Sequence, residues 1–304
     1  MIFSLVMLII ICLLIVVSVF LVRNKLLKNT NELGVSLAKS YAAEERYRLQ
    51  TFEDVVVVSS SYIEEIIQNG GSDEDIHLWL QDYFEKLKNM DNSTVFSPYA
   101  VIDGKIIAAD YWEGDETYDF VNQKWYKDAV NANGEIVVTD AYKDVITGGY
   151  VYTISKELSR DGDIIAVDIF PNMDEPRYME QNLPDGTSIF FCDSQNTLVY
   201  FTSPASSDVD VMQGYFDKLA SGIYDGKYDE YDSVIKGVNG ESRGVYYDIM
   251  DNGWMVVLTI PLDQILMEEQ SFVVNSLGLL GITCFIIICI IVIRDIKKVR
   301  PTEK

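Results

Sequence analysis

Between residues 118 and 168 the chain gathers aromatic rings and carboxylates at close spacing: Tyr118, Gln123, Trp125, Tyr126 and Asp128, then Tyr142 and Asp144, and finally Asp168. Aromatic faces exclude water and attract cations, while a carboxylate supplies charge-assisted hydrogen bonds. Together they suit a primary ammonium group. Each residue also has a plainer use, since Trp and Tyr on a helix commonly anchor it to a sheet, and for Trp125 alone core packing weighs equally. Asp168 sets the group apart. It lies inside the apolar run from Ile164 to Phe170, where an unpaired carboxylate is expensive. Such a residue needs a cationic partner, or else internal donors from backbone or Tyr hydroxyl groups.

Catalytic signatures are missing. The one histidine, His77, sits in the helical-looking stretch Asp75-Ile76-His77-Leu78-Trp79 with no Ser or Cys elbow beside it, which fits a surface or half-buried helix position. There is no HExxH, CxxC, P-loop or strand-to-helix GxGxxG, and Glu113-Gly114-Asp115-Glu116 lacks the alternating oxygens of a calcium loop. The reading is therefore of a non-enzyme with no cofactor and no metal. A membrane-tethered hydrolase or a ligand-free scaffold stands as the alternative.

These residues must be positioned by something, and the pattern supplies it. Leu37, Tyr41, Ala42, Leu49, Phe52, Val55, Val56, Ile63, Ile66 and Ile67 recur at helical spacing until Asn69-Gly70-Gly71, which predicts one long helix over about 29–68. A second helix is expected over 72–89. Strand texture follows. Asp103-Gly104 joins 99–102 to 105–108, and Arg160-Asp161-Gly162-Asp163 joins 149–155 to 164–169. After an expected helix around 173–182 come strands at 188–192, 197–200, 242–247 and 254–260. The fold class is α+β: two tandem PAS-like antiparallel-sheet modules carried on a long helix, parting near Pro184-Asp185-Gly186. Residues 224–229 read as an exposed loop.

Apolar runs lie at both ends, over 2–22 and 272–293, each about 21 residues without a charge and so long enough to cross a hydrocarbon core of roughly 30 Å. The divisions expected are a first transmembrane helix at 1–23, a stalk helix at 24–70, a membrane-distal module at 71–183, a membrane-proximal module at 184–268, a second transmembrane helix at 269–293 and a short tail at 294–304. Arg294, Lys297, Lys298, Arg300 and Lys304 place that tail in the cytoplasm. Two spans then put both termini there and leave about 24–271 extracytoplasmic. The basic trio Arg23, Lys25 and Lys28 votes the other way, but the asymmetry about the second span is larger.

Charge and cysteine usage agree with that topology. Only eight of the 24 basic residues and two of the 47 acids lie outside 29–271, so the middle carries a net charge of −29. Such a surface repels nucleic acid and mildly concentrates cations. Three of the four cysteines fall in the apolar runs, leaving Cys192 alone in the middle, where it cannot form an internal disulfide and reads as a small buried hydrophobe.

The run from Tyr118 to Ala129, with Tyr142-Lys143-Asp144 and Val167-Asp168-Ile169, resembles the membrane-distal module of double Cache (dCache) sensor domains, the extracytoplasmic sensors of bacterial chemoreceptors, histidine kinases and diguanylate cyclases. Gly253-Trp254 with Pro261-Leu262 is similar to the closing strand of the proximal module, so the resemblance covers about 29–268. In amino-acid-binding members of that family, an Arg two residues before the Trp holds the ligand carboxylate, and a Tyr and Asp set holds the amine. Here Gln123 takes the place of the Arg and cannot give a charged fork.

The resemblance implies ligand binding by Tyr118, Gln123, Trp125, Tyr126, Asp128, Tyr142, Asp144 and Asp168. An amine without a carboxylate stands beside an amino acid as the ligand. The partners expected are a small cationic or zwitterionic ligand, lipid around two spans, a second copy through the long helix, and a cytoplasmic output domain or subunit not contained in this chain. Nucleic acid is not among them. Signal would leave the domain through the second span.

Overall fold

In the computed structural model the described residues are 2–90, 97–114, 117–170, 183–229 and 233–264, with 278, 281–282, 284–290 and 292–294 near the C-terminus. The expected helix at 173–182 lies outside them, as do 10 of the 22 residues of the second apolar run. A single helix, α1 (Ile2–Gln68), runs through the first apolar run and the stalk without a break. At 1.5 Å per residue it is about 100 Å long. Many side chains of the first run are also outside the described set. Among the described residues no helix is long and apolar enough to cross a membrane, so the two expected spans are not tested.

Of the expected stripe on α1, Tyr41, Ala42, Leu49, Phe52, Val55, Val56 and Ile63 are buried, Leu37, Ile66 and Ile67 are half-buried against the core, and Ala38 joins them. Gly70, with φ 76°, ends the helix in the left-handed region. Helix α2 (Asp73–Met90) opens on three acids, and Ser72 and Asp75 cap its first turn reciprocally, Ser72 donating from N and Oγ to Asp75 at 2.8 and 2.7 Å. His77 is half-buried on α2. Its Nδ1 meets the Ala108 carbonyl at 2.8 Å, and its ring stacks on Tyr111 at 4.7 Å.

The distal sheet contains β1 (Tyr99–Ile102), β2 (Lys105–Ala108), β3 (Ile136–Val138), β4 (Tyr142–Lys143), β5 (Tyr150–Glu157) and β6 (Ile164–Ile169). Its order is β2-β1-β6-β5-β3, with β4 also pairing β5. Asp103 and Gly104 both take positive φ, 49° and 73°, as a two-residue hairpin turn requires. The proximal sheet holds β7 (Ser188–Cys192), β8 (Leu198–Thr202), β9 (Val234–Lys236), β10 (Ser242–Ile249) and β11 (Met255–Pro261) in the order β8-β7-β11-β10-β9. In both sheets the first hairpin sits at one edge and its inner strand pairs the last strand of the module. The two sheets are one antiparallel plan used twice.

Alternation along each strand divides the core into faces. On β6, Ile165, Val167 and Ile169 turn to α1, in a core that continues through Val256, Leu258 and Ile260 of the proximal sheet. Ile164 and Ala166 turn the other way, against Trp125 and Ala129 of α3 (Lys124–Asn131). The matching layer in the proximal module is α4 (Val209–Tyr224), a helix not anticipated from the sequence. It packs Met212, Phe216, Leu219 and Ile223 on Phe190, Met255 and Val257. Asp208 caps it, accepting from Val211 N at 3.0 Å. Cys192 is fully buried in this cluster with a free thiol. α4 ends at Tyr224, so only the turn beyond it fits the expected loop.

The modules meet directly. Tyr152 of the distal sheet packs edge-on against Trp254 of the proximal one at 5.1 Å. Beside them the chain crosses hydrogen bonds in both directions. Asp140 accepts from Ser194 N (3.1 Å) and Oγ (2.7 Å), and Asp193 accepts from Ala141 N at 3.0 Å. Asp193 also holds its own turn, accepting from Gln195 N and Thr197 N at 2.9 and 2.8 Å.

Candidate functional site

The periodicity of β6 that sends Ile164 and Ala166 toward α3 sends Asp168 to the same face of the sheet. The β5–β6 register sets it opposite Thr153, and β1 brings Tyr99 alongside. Asp168 Oδ1 accepts from Thr153 Oγ1 at 2.7 Å and from the Tyr99 hydroxyl at 3.1 Å. Tyr142 OH lies 2.5 Å from Thr153 Oγ1. Thr153 has one hydroxyl proton and gives it to Asp168, so Tyr142 is the donor to Thr153. The result is an ordered chain, Tyr142 to Thr153 to Asp168. Its backbone is steadied by the Thr153 N–H donating to Thr139 Oγ1 at 3.0 Å.

Asp168 stays without a cationic partner among the described residues. Its two hydroxyl donors favour the carboxylate, but burial outweighs them, and the nearby charge of Asp144 pushes in the same direction as burial. Together these carry its pKa from 3.8 up to about 6. Burial and the Asp168 charge likewise hold the Tyr99 and Tyr142 hydroxyls well above their ordinary range. A ligand cation here would find one carboxylate that still has Oδ2 to offer, ringed by neutral hydroxyls and π-faces.

Asp144 is buried and closes its own turn, accepting from Thr147 N at 2.6 Å and Thr147 Oγ1 at 2.7 Å. It adds negative potential to the site. Tyr118 is half-buried. Burial raises its hydroxyl pKa, Trp125 hydrogen-bonds to it, and the charges of Asp168 and Asp144 act on it. Trp125 is 1% exposed, edge-on to Tyr99 at 5.3 Å and to Tyr126 at 5.8 Å. It is at once the core anchor of α3 and the support for Tyr118.

The other three expected residues are engaged elsewhere. The Tyr126 hydroxyl donates to Gly162 O at 3.2 Å in the β5–β6 turn, and its ring packs on Phe120. Gln123 stands at the N-cap of α3, with Nε2 donating to Asp119 O at 3.1 Å. Asp128 pairs with Lys124 at 2.5 Å one turn away. Thus Tyr118, Trp125, Tyr142, Asp144 and Asp168 come together, with Tyr126 behind them and Gln123 and Asp128 bound to local partners. Tyr99 and Thr153 were missed from the sequence. Thr153 faces Asp168 because the turn residues are 159–162, with Leu158 N bonded to Asp163 O; counting back from a turn at Arg160–Asp163 would have pointed to Ser155 instead.

Beside Tyr118 a cleft of about 560 Å³ opens between β2 and the segment leading to α3. Its walls include Ile106, Tyr111, Trp112, Tyr118 and Phe120, with Lys105 and Glu113 at the rim. Among the described residues no group of His, Cys, Asp and Glu side chains converges as a metal centre.

Residues 50–169 match the family model of the first PDC sensor domain of methyl-accepting chemotaxis protein-like proteins. Chemotaxis protein TlpB of Bacillus subtilis is 25% identical over 278 residues, covering 89% of this chain and 40% of TlpB. The chain therefore spans less than half the length of that relative. The structure superposes on the sensory domain of the Campylobacter jejuni chemoreceptor Tlp3 with isoleucine bound, at a TM-score of 0.53 and 18% identity, over 80% of this chain and 96% of that one. It also superposes on the ligand-binding domain of the Pseudomonas fluorescens chemoreceptor CtaA in complex with L-serine, at a TM-score of 0.52 and 16% identity, over 79% and 99%. The tandem-module fold is that of the dCache chemoreceptor sensor domains, and the relatives are chemotaxis receptors rather than enzymes.

Proposed function

We propose that this chain is a membrane-anchored extracytoplasmic sensor whose distal module binds a small amine-bearing metabolite, with its ammonium on Asp168. The observation that supports this most is a carboxylate on an apolar sheet face, surrounded by Tyr99, Tyr118 and Tyr142, with no cation paired to it among the described residues. An ion left in that state costs free energy, and a ligand ammonium would relieve it. Asp144, whose Oδ2 is held by Thr147, strengthens the attraction with its charge.

Anchoring rests on the two uncharged apolar runs, which would place both chain ends in the cytoplasm and the acidic middle outside. Ligand in the distal module would favour one arrangement of the modules and shift the second span along or about its axis. Output belongs to a cytoplasmic domain or partner. An amino acid is the second reading, favoured by the isoleucine and serine bound in Tlp3 and CtaA. Gln123 in place of a cationic fork tilts the balance toward amines. A thermal-shift series on the full chain in lipid nanodiscs, run against amines and amino acids, tests the proposal. A ligand at a hundredfold excess over its Kd adds about 2.7 kcal/mol of stability. A flat response to every amine and amino acid would sink it.

A further inference from the structure

An ammonium seated on Asp168 would leave the neighbouring cleft unfilled, and its walls show what else a ligand must carry. Tyr118 belongs to both places. It packs on the same cluster as Tyr99 and Tyr142, the tyrosines around Asp168, and its ring forms part of the cleft. Trp112 stands edge-on to it at 6.1 Å. The indole lies so close over Gly114 that a Cβ there would come within 2.0 Å of it, so this placement needs a glycine at 114. Tyr111 is held by stacking on His77, itself bonded to Ala108 O. Two large rings are thus fixed in position while still 61% (Tyr111) and 36% (Trp112) exposed. Rigid, water-facing aromatic walls around about 560 Å³ are the makings of an apolar subsite.

The charges on the rim narrow the ligand further. Lys105 is already paired with Asp73 at 3.1 Å, and the other rim charge is the acid Glu113. On the α3 side, Lys124 is paired with Asp128. Among the described residues that line the cleft, a ligand carboxylate would meet the acid Glu113, π-faces and a lysine already held by Asp73.

Resting on the Asp168 reading, we propose that the cleft is the tail subsite of the same ligand and that it takes an aryl or comparably large apolar group. The ligand class is then an arylalkyl monoamine without a carboxylate. Calorimetry on the full chain in lipid nanodiscs with ethylamine, phenethylamine and L-phenylalanine separates the parts. Phenethylamine should bind at least about tenfold more tightly than ethylamine, as burial of a ring predicts, and more tightly than L-phenylalanine. Trp112→Ala, and separately Gly114→Ala, which displaces the indole, should each weaken phenethylamine about tenfold and leave ethylamine unchanged. Equal affinity for ethylamine and phenethylamine, or full phenethylamine affinity in both variants, would overturn the tail subsite and leave the Asp168 site standing. L-Phenylalanine binding as tightly as phenethylamine would overturn the exclusion of a carboxylate. Failure of both amines to bind would remove the Asp168 reading and the subsite together.

Discussion

Replacing Asp168 by Asn tests the site more cleanly than truncation does. Both hydroxyl donors, Thr153 and Tyr99, converge on Oδ1 alone. An Asn with its carbonyl oxygen in that place keeps both bonds, whereas Ala would leave the Tyr99 hydroxyl without its acceptor. The folded pKa is raised from 3.8 to about 6, so between those values the native state holds a proton that the unfolded state has released. Stability therefore falls as pH rises through this window, by roughly 3 kcal/mol for a shift of about two units. Asp168→Asn removes that cost. The variant should be more stable than the wild type at pH 7 by up to about 3 kcal/mol, with the gap closing below about pH 4. Denaturant unfolding followed by tryptophan fluorescence at a series of pH values measures it. Binding should move the other way, with ammonium affinity reduced by on the order of 2–5 kcal/mol when its half-buried partner loses charge. In the wild type, the same pKa makes affinity rise about tenfold per pH unit up to about pH 6 and level off above it. A variant that is less stable at every pH, yet binds at full strength, would make Asp168 a structural acceptor and refute the amine argument.

Gln123→Arg should shift preference toward α-amino acids over the matching decarboxylated amines by about 1.5–3 kcal/mol, the worth of a hydrogen bond to a charged group; an unchanged affinity ratio by calorimetry would show that residue 123 does not face the ligand. Arg243 is 3% exposed and donates to Thr259 Oγ1, Thr259 O, Gly186 O, Ser188 Oγ and Glu241. Arg243→Ala should lower unfolding free energy by about 3–5 kcal/mol, because it strands buried acceptors and an acid; a loss under 1 kcal/mol would contradict that geometry. Asp193→Ala removes the acceptor of three backbone N–H groups and should cost about 2–4 kcal/mol, with a measurable fall in ligand affinity as the Asp193–Ala141 bond is lost. Unaltered affinity in that variant would show that the distal site is indifferent to its neighbour.

The sheets were legible because their signals are local. Asp103-Gly104 and the Arg160–Asp163 turn mark two hairpins; the register of the first follows from its two-residue turn, while that of the second is set two residues away from what a turn at 160–163 implies. The buried stripe of α1 was legible because helical spacing survives over many turns. Helix α4 was hidden although its apolar residues keep the same period, for Gly214 and Gly222 interrupt it and low helix propensity masks the pattern. Packing against β7 and β11 overrides that propensity. Chemistry at the site was half visible. Residue type points to the carboxylates and rings, but a threonine announces nothing until cross-strand pairing sets it against Asp168. Nor does sequence reveal that Asp128 and Gln123 find partners within their own helix turn.

The short stretch from Asp140 to Tyr142 has a kinematic consequence. Its first two residues are fastened to the β7–β8 turn of the proximal module, and the next side chain closes on Thr153 in the distal site. Only three backbone torsions separate the pinned Ala141 amide from the point where the Tyr142 side chain departs, and the intervening peptide plane is stiff. The ring and the proximal turn therefore share most of their freedom. A restraint on either one narrows the wander of the other, and the entropy lost on stilling Tyr142 is drawn in part from a loop that begins fifty-one residues further along the chain, at Asp193.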